Sequence, residues 1–126
     1  MQRVAVTADI QDSALAIIRI RGAIVANLAA TDIVGIAADI MDRLSPPRLI
    51  IDLQNVRYLD SYSFGWISKA ATQARRRNGA LALCNANDDI MYLFELTNFI
   101  YAAPVYANES DARQAILSGN EDKRLL

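Results

Sequence analysis

Apolar positions along this chain fall into two alternating patterns. Short apolar blocks read as strands: Val4 and Val6 with their neighbours, Leu15 to Ile20 ended by Gly22, Leu49 to Leu53, and Ala80 to Cys84. Asp12-Ser13 is a turn signal between the first two. Between the blocks the apolar residues space out to helical intervals. From about Asn27 to Leu44, the residues Leu28, Ile33, Ile36, Ile40 and Leu44 recur mostly three or four apart, and Asp32, Asp39, Asp42 and Arg43 fall off that face. Pro46-Pro47 stops this helix. Asp60 to Arg77 is helical again, with Phe64, Ile67, Ala71 and Ala74 on one side, and Asn78-Gly79 ends it with glycine in the left-handed cap.

The remaining third of the chain continues the alternation. Asn87 is placed to cap a third helix with Asp88 and Asp89 in its first turn and Ile90, Leu93, Phe94 and Thr97 on its inner side. Tyr101 to Tyr106 reads as a last strand, at an edge because of Pro104. Ser110 caps a final helix through Leu117. The order β, β, α, β, α, β, α, β, α predicts one α/β domain: a mixed β-sheet of about five strands with about four helices packed on it. The domain is expected to span residues 1–118, with 119–126 a flexible C-terminal tail. A chain of 126 residues can bury roughly two-thirds of its unfolded surface, enough for one core.

Composition mostly excludes. Thirteen basic and fourteen acidic residues leave a net charge of −1, which gives no footprint for nucleic acid or acidic lipid. The single basic cluster, Arg75-Arg76-Arg77, reads as a solvated helix end. One cysteine, Cys84, rules out an internal disulfide, and its apolar surroundings make it a buried structural thiol. The first residues lack the basic start, apolar run and small-residue cleavage site of a secretion leader, and no apolar stretch is long enough to span a bilayer. A cytoplasmic protein without direct membrane insertion is the expectation. There is no histidine, so Ser-His and Cys-His dyads and a histidine general base are impossible. No paired-cysteine metal pattern and no glycine-rich phosphate loop occur, so no metal, cofactor or catalytic residue is expected and the chain is read as a non-enzyme.

What remains is the junction from Asn55 to Trp66. Asp60 is a strong N-cap with Ser61 in the first turn, a reading that needs no function. Tyr62, Trp66, Lys69 and Gln73 form a stripe offset from the apolar face; Trp66 on it is either an exposed anchor or a core-edge residue. Asp52, at the end of its apolar strand, either orients the loop before Ser61 or is a structural acceptor.

The run Leu49-Ile50-Ile51-Asp52-Leu53-Gln54-Asn55-Val56-Arg57-Tyr58-Leu59-Asp60-Ser61 resembles the signature of STAS domains, the anti-sigma factor antagonist family: an apolar strand ending in an acid or Asn, a short loop, then Asp-Ser opening a helix. Gly79 with Ala80 to Cys84, the segment Phe94-Glu95-Leu96-Thr97-Asn98-Phe99 and the stretch Ser110 to Ile116 extend the similarity over nearly the whole chain. The resemblance implies a single STAS-like domain with its helices mainly on one face of the sheet. It implies an antagonist that binds a serine kinase doubling as an anti-sigma factor. That kinase would phosphorylate Ser61, a cognate phosphatase would reverse it, and Asp60 and Asp52 would support the phosphosite. Tyr62, Ser63, Trp66 and Lys69 are the expected partner-binding residues, and the expected state is a monomer or weak dimer. The chain departs from the family pattern at Tyr62 and Ser63, after the phosphorylated position, and at Val25, where many members carry an acid. These departures motivate an alternative: a non-enzymatic STAS scaffold or adaptor subunit of a stress-signalling or lipid-transport complex.

Overall fold

A computed structural model describes residues 5–11, 15–24, 29–98, 102–119 and 122–126. Among these the chain forms β1 (Ala5–Gln11), β2 (Leu15–Ile24), α1 (Ala29–Arg43), β3 (Arg48–Leu59), α2 (Ser61–Arg76), β4 (Ala80–Cys84), α3 (Asp88–Leu96), β5 (Val105–Tyr106) and α4 (Glu109–Ser118). The mixed sheet has its strands in chain order, β1-β2-β3-β4-β5. β1 and β2 form an antiparallel hairpin, with Ala5 opposite Arg21 and Gln11 opposite Leu15. The other neighbours are parallel. Val4, Asp12, Ser13, Val25, Asn27, Leu28, Phe99 and Tyr101 lie outside the described residues.

The layering follows from this order. Each crossover from β2 to β5 steps one strand in the same direction, and crossovers of one hand then lay α1, α2 and α3 on the same face. Ala16, Ile18 and Ile20 of β2, Leu49, Ile51 and Leu53 of β3 and Leu81 and Leu83 of β4 point into the core beneath those three helices. The alternate residues Leu15, Ile17, Ile50, Ala82, Cys84 and Tyr106 face the other way and pack on Ala112 and Ala115 of α4. Both faces of the central strands are therefore dry, which is why their sequence is continuously apolar. Burying each Leu or Ile contributes about 1.5–3 kcal/mol, as an upper estimate.

On α2 the expected inner face holds: Phe64, Ile67, Ala71 and Ala74 are buried. On α1, Ile40 and Leu44 are buried and Ile36 packs at the core edge. Within α3, Ile90 and Phe94 are buried and Leu93 is half-buried, but Thr97 is exposed because it is the C-cap, where the helix turns away. Asn87 caps α3, its side chain accepting from the Ile90 N–H at 2.8 Å.

Five expectations are corrected. β3 runs to Leu59 rather than stopping at Leu53, because its second half overhangs β4 and pairs only with β2, through two irregularities in register that break any simple alternation. β5 is two residues long, hydrogen-bonded to the end of β4. Asn108, not Ser110, caps α4: its side chain reaches the Asp111 N–H at 2.8 Å, while Ser110 already lies inside the first turn. Asn78, not Gly79, takes the left-handed conformation after α2, at φ 64°. Gly79 is required for a different reason: a Cβ there would stand 1.7 Å from the Pro47 carbonyl oxygen, which accepts the Ala80 N–H at 2.9 Å. Finally, the end of the expected tail is docked. Arg124 bridges Tyr106, the Leu125 N–H donates to the Val105 carbonyl at 2.7 Å, and the Val105 N–H donates to Leu126 at 3.1 Å. Those bonds satisfy the outer edge of β5, which β4 leaves unpaired.

Candidate functional site

The Asp60-Ser61 junction sits where the β3 overhang turns into α2. Asp60 has extended backbone (φ −89°, ψ 172°), and one side-chain oxygen, Oδ1, accepts both the Ser63 N–H at 2.9 Å and the Ser63 hydroxyl at 2.7 Å. The carboxylate is also at the positive end of the helix, where a negative charge is stabilised by about 0.3–1 kcal/mol. Ser61 is the first residue of α2. Its N–H and that of Tyr62 belong to the turn whose donors have no partner in the helix ladder, which is the kind of place that accepts a phosphate.

Two further contacts tie this junction to α3. Phe64, one turn into α2, meets Phe94 of α3 edge-to-face with ring centroids 5.4 Å apart. Asn87 also reaches back: its Nδ2 donates to the carbonyls of Val56 at 3.3 Å and Arg57 at 3.5 Å. Those carbonyls lie on the overhang beyond the end of β4, so a side chain replaces the missing strand. One residue thus caps α3 and clasps the strand that delivers Ser61. The sequence signalled the cap but not the clasp, which joins residues some thirty positions apart.

The expected partner-binding residues divide. Tyr62 is 58% exposed and Lys69 is also exposed. Ser63 is fully buried and spent on Asp60, so it is not a surface contact. Trp66 is 8% exposed and belongs to the core under α1 and α2, which decides its open alternative for the core edge. Tyr58 was not singled out from sequence, yet it is 51% exposed on the β3 overhang, so exposed tyrosines stand before and after Ser61 in the chain. Its signal was visible only as an aromatic in a stretch without alternation.

Asp52 does not orient the loop before Ser61. It lies mid-strand and only 6% exposed, on the sheet face covered by α4, opposite to α2. Its Oδ1 accepts from the Gln54 N–H at 2.9 Å and Asn85 Nδ2 at 3.1 Å, and Arg19 approaches its other oxygen at 3.8 Å. Arg19 in turn holds Glu109 of α4 at 3.0 Å. This is a structural ion network joining β2, β3 and α4. Beside it, the Cys84 thiol is pushed up to about 12, chiefly by burial and then by the nearby charges of Asp52 and Glu109.

Among the described residues no group of His, Cys, Asp and Glu is arranged to hold a metal ion, and no helix is long and apolar enough to cross a membrane.

Comparison with known proteins places this geometry in context. Residues 5–112 match the STAS domain family. An anti-sigma F factor antagonist of Paenibacillus polymyxa is 25% identical over 64 residues, which cover 51% of this chain and 55% of that protein; the match thus spans about half the length of this curated relative. Among solved structures, an anti-sigma factor antagonist from Mycobacterium paratuberculosis superposes with a TM-score of 0.77 at 20% identity, over 90% of this chain and 94% of that one. The anti-sigma factor antagonist SpoIIAA superposes in its unphosphorylated form with a TM-score of 0.73 at 16% identity, over 90% of this chain and 97% of that one. Its phosphorylated Bacillus form gives 0.67 at 15% identity, over 89% and 99%. At these identities the structures speak to the fold.

Proposed function

The chain belongs to the STAS domain family, and from that premise we propose that it is an anti-sigma factor antagonist whose binding is switched by phosphorylation of Ser61. The partner in this reading is a serine kinase that doubles as the anti-sigma factor; a phosphatase restores the active form, and the exchange takes place in the cytoplasm. The domain itself acts by binding and not by catalysis, as a monomer or weak dimer. The observation that carries the reading is the placement of Ser61 as first residue of α2, immediately after its N-cap Asp60, on a platform tied down by Asn87 and Phe64. The antagonists named among its relatives support it, as does SpoIIAA, which is known in both phosphorylation states.

The physics of such a switch is local. A phosphate adds about −1.5 to −2 charges at pH 7. The helix N-terminus tolerates that charge, so the fold persists. A partner surface built for a hydroxyl would instead have to desolvate an anion next to the Asp60 carboxylate. A few kcal/mol lost there corresponds to about a hundredfold or more in affinity. Tyr62, and with it Tyr58, supplies exposed aromatic area for the contact, and Lys69 a peripheral charge.

The test is a pair of baits in the native cell, Ser61→Ala and Ser61→Asp, with mass spectrometry of the captured proteins and of the wild-type chain. A serine kinase is expected on the Ala bait and absent from the Asp bait, with phosphate on Ser61 of the wild type. Equal capture by both baits would exclude the switch and favour a scaffold or adaptor subunit.

A further inference from the structure

A cavity of about 170 Å³ opens between α1 and α2, away from the Asp60-Ser61 junction. Val34, Ala38 and Met41 line it from α1, and Trp66, Lys69 and Gln73 from α2. The walls are mostly apolar, and its volume compares with the roughly 150 Å³ apolar cavity that admits benzene. Small residues on both helices border the space: Ala37 and Ala38 on α1 and Ala70 on α2.

The Trp66 side chain forms part of the wall. At the mouth stands Lys69, exposed and without an ion-pair partner among the described residues. The nearby α1 acids do not supply one: Asp39 is held by Arg43 at 3.1 Å and Asp42 by Arg77 at 3.0 Å. An apolar pocket with an uncompensated cation at its rim matches one ligand chemistry, an apolar body bearing an anion.

We propose that this cavity is a binding site for a small carboxylate with a compact six-membered ring or similar apolar body. The body fills the space between Met41, Ala38 and Trp66. The carboxylate sits at the mouth on Lys69, with Gln73 as a second donor. The site does not include Ser61, although it shares Lys69 with the proposed partner surface.

The chain contains one tryptophan, so indole fluorescence and the indole N–H resonance both report on this cavity alone. The probes are cyclohexanecarboxylate and its neutral counterpart cyclohexylmethanol, titrated into the full chain. Saturable change with the carboxylate is expected, at least tenfold weaker for the alcohol. Lys69→Met should weaken carboxylate binding at least tenfold, and Ala38→Phe, which fills the mouth, should abolish it. Both substituted positions are exposed, and circular dichroism verifies that each variant is folded. No saturable change with the carboxylate, binding unaltered by Lys69→Met, or binding retained in Ala38→Phe would each overturn the proposal.

Discussion

The Ser63 hydroxyl donates to the same Asp60 oxygen that accepts the Ser63 N–H, at 2.7 and 2.9 Å. That pairing turns two residues of the candidate site into parts of its foundation. Asp60→Ala is expected to destabilise the fold by about 1 kcal/mol, within the usual range for a lost N-cap of roughly 0.5–2 kcal/mol. Ser63→Ala should cost about 1 kcal/mol, because the backbone bond survives. Urea unfolding of both variants and the double mutant should give a combined loss smaller than the sum, since both act on one oxygen.

Asn87 joins two elements, so its variants should separate two roles. Asn87→Ala loses both the α3 cap and the clasp on Val56 and Arg57, and an expected loss of about 2 kcal/mol follows from adding a cap to a hydrogen bond. Asn87→Ser keeps the cap oxygen and should recover about half. Hydrogen exchange would localise the difference: in both variants the β3 overhang should open more readily, while β4 stays protected.

Two glycines should respond with opposite signs. Gly79→Ala drives a Cβ to 1.7 Å from the Pro47 carbonyl oxygen, so backbone must move, and a loss of about 3 kcal/mol is expected. Gly65 lies exposed within α2 with nothing within 4 Å of an added Cβ. Gly65→Ala should therefore stabilise by about 0.5–1 kcal/mol. Thermal unfolding of the two variants checks both signs.

Cys84 gives stability a dependence on alkaline pH. Its thiol titrates at about 12 in the folded chain against an ordinary 9.0. Between those values the unfolded state has lost the proton and the native state still holds it. The stabilisation is complete below pH 9 and is lost as pH rises toward 12. The stability gap between wild type and Cys84→Ala should therefore shrink as urea midpoints are measured at rising pH above 9. A thiol reagent at pH 8 should modify the native chain far more slowly than the unfolded one.

Ser61→Asp should separate binding from folding. A carboxylate at the first position of α2 is favoured by the helix dipole and opposed by Asp60, so stability should change by less than about 1 kcal/mol. Partner affinity in the same variant should fall about a hundredfold. Tyr62→Ala, by contrast, should weaken binding with stability unchanged, because its ring is exposed.

The linear pattern of residues by itself determined the element order, the mixed-sheet α/β class and the inner face of α2. These depend on periodicity within single elements, where Phe64, Ile67, Ala71 and Ala74 already carry the signal. It also marked Asp60 and Asn87 as caps, because a cap acts over three residues. Only the tertiary structure decided what depends on distant partners. Ser63 and Trp66 share the helical stripe of Tyr62 and Lys69 or stand beside it, yet Trp66 joins the core between α1 and α2 and Ser63 is buried against the Asp60 carboxylate. Asp52 reads as part of the Ser61 loop in sequence, but strand alternation turns it to the α4 face, where Arg19 and Asn85 hold it. The β3 overhang was hidden because β4 ends at Cys84 and the unpaired carbonyls of Val56 and Arg57 are satisfied by Asn87. Whether a side chain is a surface or a strut was set by which element arrives beside it, and that information is long-range.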